Sequence, residues 1–240
     1  MLFTGAGFSA DARDIEGNRL PDSEEMRREL WPLIFEEELD DSSLQDLYDC
    51  ALMRRSDRLH DYVRRRLRVG DAPLPRHFAA WFTQPWKRIY TLNVDDLEVA
   101  VARQFRLPPI DVIHLNGVAG DAAHELTFST LQYASRLCGK DRTYEQLVAD
   151  FETEPFVFAG TTLDEVTLWQ HLELHRRRNG DGPKKRPPSF LVSSSLSRAR
   201  HVLLESLGIR WVQATIADIA AQLWDRTLQQ SVACGRSDHR

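Results

Sequence analysis

The sequence predicts an α/β fold: a doubly wound parallel sheet with a small helical cap inserted after the first strand. Three observations predict it. From Tyr90 onward, short apolar runs alternate with stretches of helical periodicity, the pattern of a parallel sheet covered on both faces. Four strand ends carry turn-forming sequence: Gly5-Ala6-Gly7-Phe8-Ser9, the run Thr91 to Asp96, His114-Leu115-Asn116-Gly117 and Gly160-Thr161-Thr162-Leu163-Asp164. Residues 23 to 70 read as about three successive helices without a strand, more than one crossover needs.

The composition fits one large domain, expected over residues 1 to 230, with a polar, disordered tail over 231 to 240. With 240 residues, 42% hydrophobic and 28% charged, the chain can bury a sizeable core. A formal net charge of -5 argues against a dedicated nucleic-acid binder. No apolar run approaches the ~20 residues that span a bilayer. The start lacks the basic and apolar regions of a signal peptide, so the expected compartment is the cytoplasm. Cys50, Cys138 and Cys234 are scattered and odd in number. They build neither a disulfide framework nor a Cys-x-x-Cys zinc site, and no metal is expected.

Taken in order, Leu2 and Phe3 end an apolar run that meets Gly5 at once. The first strand is therefore expected either to be short or to begin upstream of this chain. Glycines suit a turn at a nucleotide's phosphates, where the backbone takes positive φ and no Cβ may intervene. Residues 10 to 22 read as a polar loop that can lie over a ligand. Ser23 is expected to cap the first helix, with Glu24 and Glu25 behind it. Met26, Leu30, Leu33 and Ile34, then Leu44, Leu47, Tyr48, Ala51 and Leu52, then Leu59, Tyr62, Val63 and Leu67 keep helical spacing. The arginines at 64, 65, 66 and 68 read as a solvated face.

Beyond Pro73 and Pro75, residues 77 to 82 form a short helix. Strands follow over 86 to 92 and 110 to 115, with a helix from Asp95 or Asp96 between them. A further short strand is expected over 125 to 129, and a helix over 144 to 151 capped by Thr143. Residues 156 to 159 are a strand, and a helix follows from about Asp164 to Arg178. Residues 179 to 188 form a surface loop. A strand over 190 to 192 leads into Ser193 to Ser195, which either cap the next helix or meet a ribose. That helix, 196 to 207, ends at Gly208, and a last strand (209 to 212) and helix (216 to 228) close the chain.

In a parallel sheet all carboxyl ends lie on one edge, so the four turns converge. Each alone has an ordinary explanation: a turn asparagine, a strand-end histidine, a Gly-Thr-Thr helix cap. In sequence order, however, they resemble the sirtuin family of NAD-consuming proteins, with its Gly-Ala-Gly-x-Ser, Thr-x-Asn-x-Asp-x-Leu-Glu, His-x-x-Gly and Gly-Thr-Ser/Thr-Leu runs. Thr91, Asn93, Asp95, Leu97 and Glu98 match the second run position by position. The resemblance spans nearly the whole chain apart from residues 23 to 70.

The resemblance implies a sirtuin-type, Rossmann-like sheet with NAD as substrate. Asn93 and His114 would be the catalytic pair. Gly5, Ala6, Gly7, Phe8 and Ser9 would cradle the diphosphate, and Gly160, Thr161 and Thr162 would meet the phosphate and adenosine half. The residue types suit the chemistry. Cleaving nicotinamide from ribose builds positive charge on the sugar, which neutral and anionic groups tolerate. Asn93 can hold water, Asp95 can accept from a ribose hydroxyl, and a neutral His114 imidazole can take a proton. The chain departs from deacylating sirtuins in having no pair of Cys-x-x-Cys motifs. It also carries Ala10-Asp11-Ala12-Arg13-Asp14 where they carry Gly-Ile-Pro-x-Phe-Arg. It looks closer to the sirtuin-like domains of prokaryotic antiphage defence, which hydrolyse NAD to nicotinamide and ADP-ribose. Those domains imply a sensor domain or partner protein and a homo-oligomer. A protein deacylase, or a module that holds NAD or ADP-ribose without turnover, are the alternatives.

Overall fold

The computed structural model describes residues 1–139, 141–179 and 186–223. Six strands form one sheet: β1 (Leu2–Thr4), β2 (Ile89–Thr91), β3 (Ile113–His114), β4 (Val157–Ala159), β5 (Ser189–Ser193) and β6 (Ile209–Gln213). All pairings are parallel, in the order β3-β2-β1-β4-β5-β6. This is a Rossmann-like, doubly wound sheet. The strands are shorter than their apolar runs. β2 keeps three of the seven residues expected and β3 two of six, because the ladder forms only where neighbours align.

Both faces of the sheet are covered. Phe3, Tyr90, Phe158 and Leu191 point to one side, where they meet helices α7 (Arg142–Thr153), α8 (Val166–Asn179) and α9 (Arg198–Ser206) through Phe151, Leu168 and Leu204. Leu2, Ile89, Ala159 and Val192 point to the other, against α4 (Arg76–Phe82), α5 (Leu97–Phe105) and Ala220 of a helical segment over 216–223. Alternate residues of β1 thus serve two cores, as period-two geometry requires.

The cap holds α1 (Ser23–Ile34), α2 (Leu44–Arg54) and α3 (Ser56–Arg66). It is not built from that stretch alone. Its core joins Met26, Leu30, Tyr48, Leu59 and Val63 to Val94, Ala119, Ala123 and Leu126. The Tyr48 hydroxyl donates to the Ala123 carbonyl at 2.7 Å. The strand expected over 125–129 is therefore absent. Leu126 and Phe128 alternate as in a strand, but they fill the cap core, and Ser129 opens helix α6 (Thr130–Cys138) through a capping box with Gln132.

Three caps also differ from expectation. Asp22, not Ser23, caps α1 by accepting from the amides of Glu24 and Glu25. Asp141, not Thr143, caps α7, and Ser197 rather than Ser193–Ser195 caps α9. In each case the residue directly before the helix has the extended backbone that aims its side-chain oxygen at the first turn. The arginine face needs correction as well. Arg64, Arg65 and Arg68 are exposed, but Arg66 is buried between Asp14 and Glu29. Cys234, the tail over 231–240, the end of the last helix and most of the loop over 179–188 lie outside the described residues.

Candidate functional site

β1 and β4 are neighbours, yet the chain leaves them in opposite directions, β1 toward β2 and β4 toward β5. The crevice above such a switch point is where doubly wound sheets receive ligands. Here the two turns interlock. The Gly5 amide donates to the Ala159 carbonyl at 3.1 Å, and the Gly7 amide to the Gly160 carbonyl at 2.9 Å. A Cβ on Gly5 would stand 2.8 Å from the Thr161 Cβ, and one on Gly160 only 2.0 Å from the Phe8 nitrogen. The glycines are needed for close approach of two turns. Positive φ belongs to Gly160, at 70°, whereas Gly5 sits at -129°.

The expected contacts of this turn divide accordingly. Phe8 is buried, with its ring about 5.9 Å from those of Phe78 and Trp81, so its side chain anchors the turn to the core and does not face the edge. The amides of Gly5, Gly7, Phe8 and Ser9 all donate to backbone carbonyls. Ala6 and Gly7 are exposed and present the turn to solvent. On β4's side, the buried Thr161 hydroxyl donates to Glu165 at 2.7 Å and accepts from the Leu163 amide at 2.9 Å. Thr162 is exposed, with its hydroxyl on Asp164.

Asn93 and Asp95 come from the turn after β2. The Asn93 side-chain amide donates to the Gly5 carbonyl at 3.1 Å and to the Ser9 hydroxyl oxygen at 2.8 Å. Both amide hydrogens are thereby engaged, which leaves Oδ1 as the atom that can accept. Ser9 also neighbours Asp95, whose carboxylate accepts from the Leu97 amide at 3.2 Å. Asp95 is buried, not open to a ribose. Burial is the main reason its carboxyl rises to about 6, and Glu98 adds to it, while the Ser9 hydrogen bond opposes the rise.

His114 ends β3 and faces the same group. Its Nδ1 lies 2.9 Å from the Asn93 carbonyl oxygen and its Nε2 3.2 Å from Glu98 Oε1. Both neighbours are acceptors. Burial alone would lower the imidazole's pKa, but Glu98, the Asn93 carbonyl and Asp95 together hold it above its ordinary value. The neutral imidazole expected from sequence is therefore resisted by its surroundings.

The structure thus brings Ser9, Asn93, Asp95 and His114 together, with the Gly5 and Gly160 turns at their side. It adds Glu98, to which sequence reasoning gave no role. The signal was available: Glu98 follows Asp95 by three residues and lies in the first turn of α5. Sequence reasoning also gave Asp96 no more than the start of a helix. Its carboxylate accepts from the Val69 amide at 2.6 Å and ties the end of the cap to the start of α5. The cluster is made of acceptors and one imidazole, an arrangement suited to developing positive charge and to moving one proton. Among the described residues, no group of three or more His, Cys, Asp or Glu side chains is placed to hold a metal, and no helix is long and apolar enough to cross a membrane. A cleft of about 530 Å³ opens at the opposite, amino-terminal end of β2 and β3, between Trp86, Arg88, Leu107 and Pro109. Compared with known proteins, the chain matches no family model and no curated protein.

Proposed function

We propose that this chain is a hydrolase that cleaves NAD into nicotinamide and ADP-ribose at the carboxyl edge of its sheet. One observation carries the reading. Asn93 is clamped by Gly5 and Ser9 with its Oδ1 left to accept, directly beside His114, at a β1/β4 switch point. The likeness of the four turns to those of sirtuins supplies the substrate.

The chemistry then follows from the residues. The bond between ribose C1′ and the nicotinamide nitrogen breaks, with its electron pair staying on nitrogen. Water oxygen bonds to C1′, and one water proton departs. Asn93 Oδ1 accepts from that water and turns its lone pair toward the carbon without bringing charge. Asp95 acts one step back, beside the Ser9 whose hydroxyl oxygen accepts from Asn93. His114 holds the Asn93 carbonyl through Nδ1–H and so fixes the Asn93 turn, and the water proton passes to solvent. The exposed backbone of Ala6 and Gly7 and the Thr162 hydroxyl are the groups placed to meet the diphosphate and adenosine half.

The cellular output is depletion of NAD in the cytoplasm, in the setting of prokaryotic antiphage defence, under control of a sensor domain or partner and of self-association. That part rests on the resemblance alone. Product analysis tests the activity. Purified protein incubated with NAD should release nicotinamide and ADP-ribose in equal amounts. Turnover only with an added acyl-lysine peptide would make it a deacylase, and NAD bound without product would make it a binding module.

A further inference from the structure

His114 has no free ring nitrogen. Nδ1 faces a backbone carbonyl, and Nε2 faces Glu98, a buried carboxylate on the first turn of α5. The charged groups that face the ring are Glu98 from α5 and Asp95 from the turn before it. A neutral imidazole with its hydrogen on Nδ1 sets the Nε2 lone pair against the Glu98 carboxylate, which is repulsive. A proton arriving at Nε2 turns that contact into a charge-assisted hydrogen bond.

We infer that Glu98 is the positioning residue of this site: its carboxylate accepts from His114 Nε2–H while the Asn93 carbonyl accepts from Nδ1–H, and so it holds the protonated ring fixed behind Asn93. The inference rests on the hydrolase reading for its reaction but on the geometry for its pairing. Nε2–H donates to Glu98 Oε1, and Nδ1–H donates to the Asn93 carbonyl. Glu98 itself touches neither NAD nor water in this scheme.

The test uses Glu98→Gln, which keeps the acceptor oxygen and removes the charge, and Glu98→Asp, which keeps the charge on a shorter arm. The titration of His114 is followed by NMR in the protein without NAD, its signal identified by loss in His114→Gln. Removal of an adjacent opposite charge should lower the His114 midpoint by about 1 unit or more. Glu98→Asp should return it toward the wild-type value. With NAD, the alkaline limb of the activity profile should move down by the same amount in Glu98→Gln, and kcat should fall far more than KM changes. An unmoved midpoint in Glu98→Gln overturns the inference even if nicotinamide is released. A lowered midpoint in a protein that releases no nicotinamide upholds the pairing and removes the hydrolase reading instead.

Discussion

Replacing Asp95 with asparagine is expected to stabilise the protein at neutral pH. The carboxyl is buried and titrates near 6 rather than its ordinary 3.8. Between those values the folded chain holds a proton that the unfolded chain has released. The folded state is therefore favoured as pH falls, and the contribution is lost as pH rises through 6. From pH 8 to pH 5, one unit below the midpoint, it amounts to about 1.4 kcal/mol, and over the full shift of about two units to roughly 3 kcal/mol. Asparagine cannot ionise, so the stability of the variant lacks this slope. Against that stands the Leu97 amide's hydrogen bond to the carboxylate, about 1 kcal/mol, which asparagine weakens at every pH. Urea denaturation of both proteins at pH 5 and pH 8 isolates the effect, since other titrating groups cancel in the difference. The Asp95→Asn variant should gain on wild type by about 1.4 kcal/mol between the two pH values. An equal difference at both would refute the burial of an ionising Asp95.

The two turns at the switch point and the latch behind them make further expectations. Gly160→Ala places a Cβ 2.0 Å from the Phe8 nitrogen at a φ of 70°. The left-handed conformation alone costs about 1–2 kcal/mol, and the clash adds to it by pushing the turns apart, so a lowered Tm should accompany lost affinity for ADP-ribose. Arg66→Met strands the fully buried Asp14 carboxylate. A cost of about 3–5 kcal/mol is expected in urea denaturation, and a change of less than about 1 kcal/mol would show that the pair holds nothing in place.

The alternation of strands and helices was legible because each strand buries both faces and so reads as an unbroken apolar run, as at Phe156–Ala159. The site's turns were legible because asparagine, histidine and glycine are conspicuous just after such runs. The interlock was not. Nothing local in Gly5 or Gly160 says that two turns so distant in the chain will share their space. Burial of Arg66 was partly legible, since Leu59, Tyr62, Val63 and Arg66 follow helical spacing and lie on one face. Charge was read ahead of position there, and the same happened at Glu98. The missed helix α6 shows the reverse error. Leu126 and Phe128 look like a strand because period two over a few residues also describes a loop that drops two side chains into a neighbouring core.

Nicotinamide release from NAD by wild type and Asn93→Ala, measured side by side at equal folded concentration, tests the central claim most directly. The variant keeps His114 and loses the amide that orients water, together with its bonds to Gly5 and Ser9. The expected result is steady release by wild type and a loss of about a hundredfold or more in Asn93→Ala. Release that continues undiminished in the variant would place the chemistry away from this edge and contradict the site.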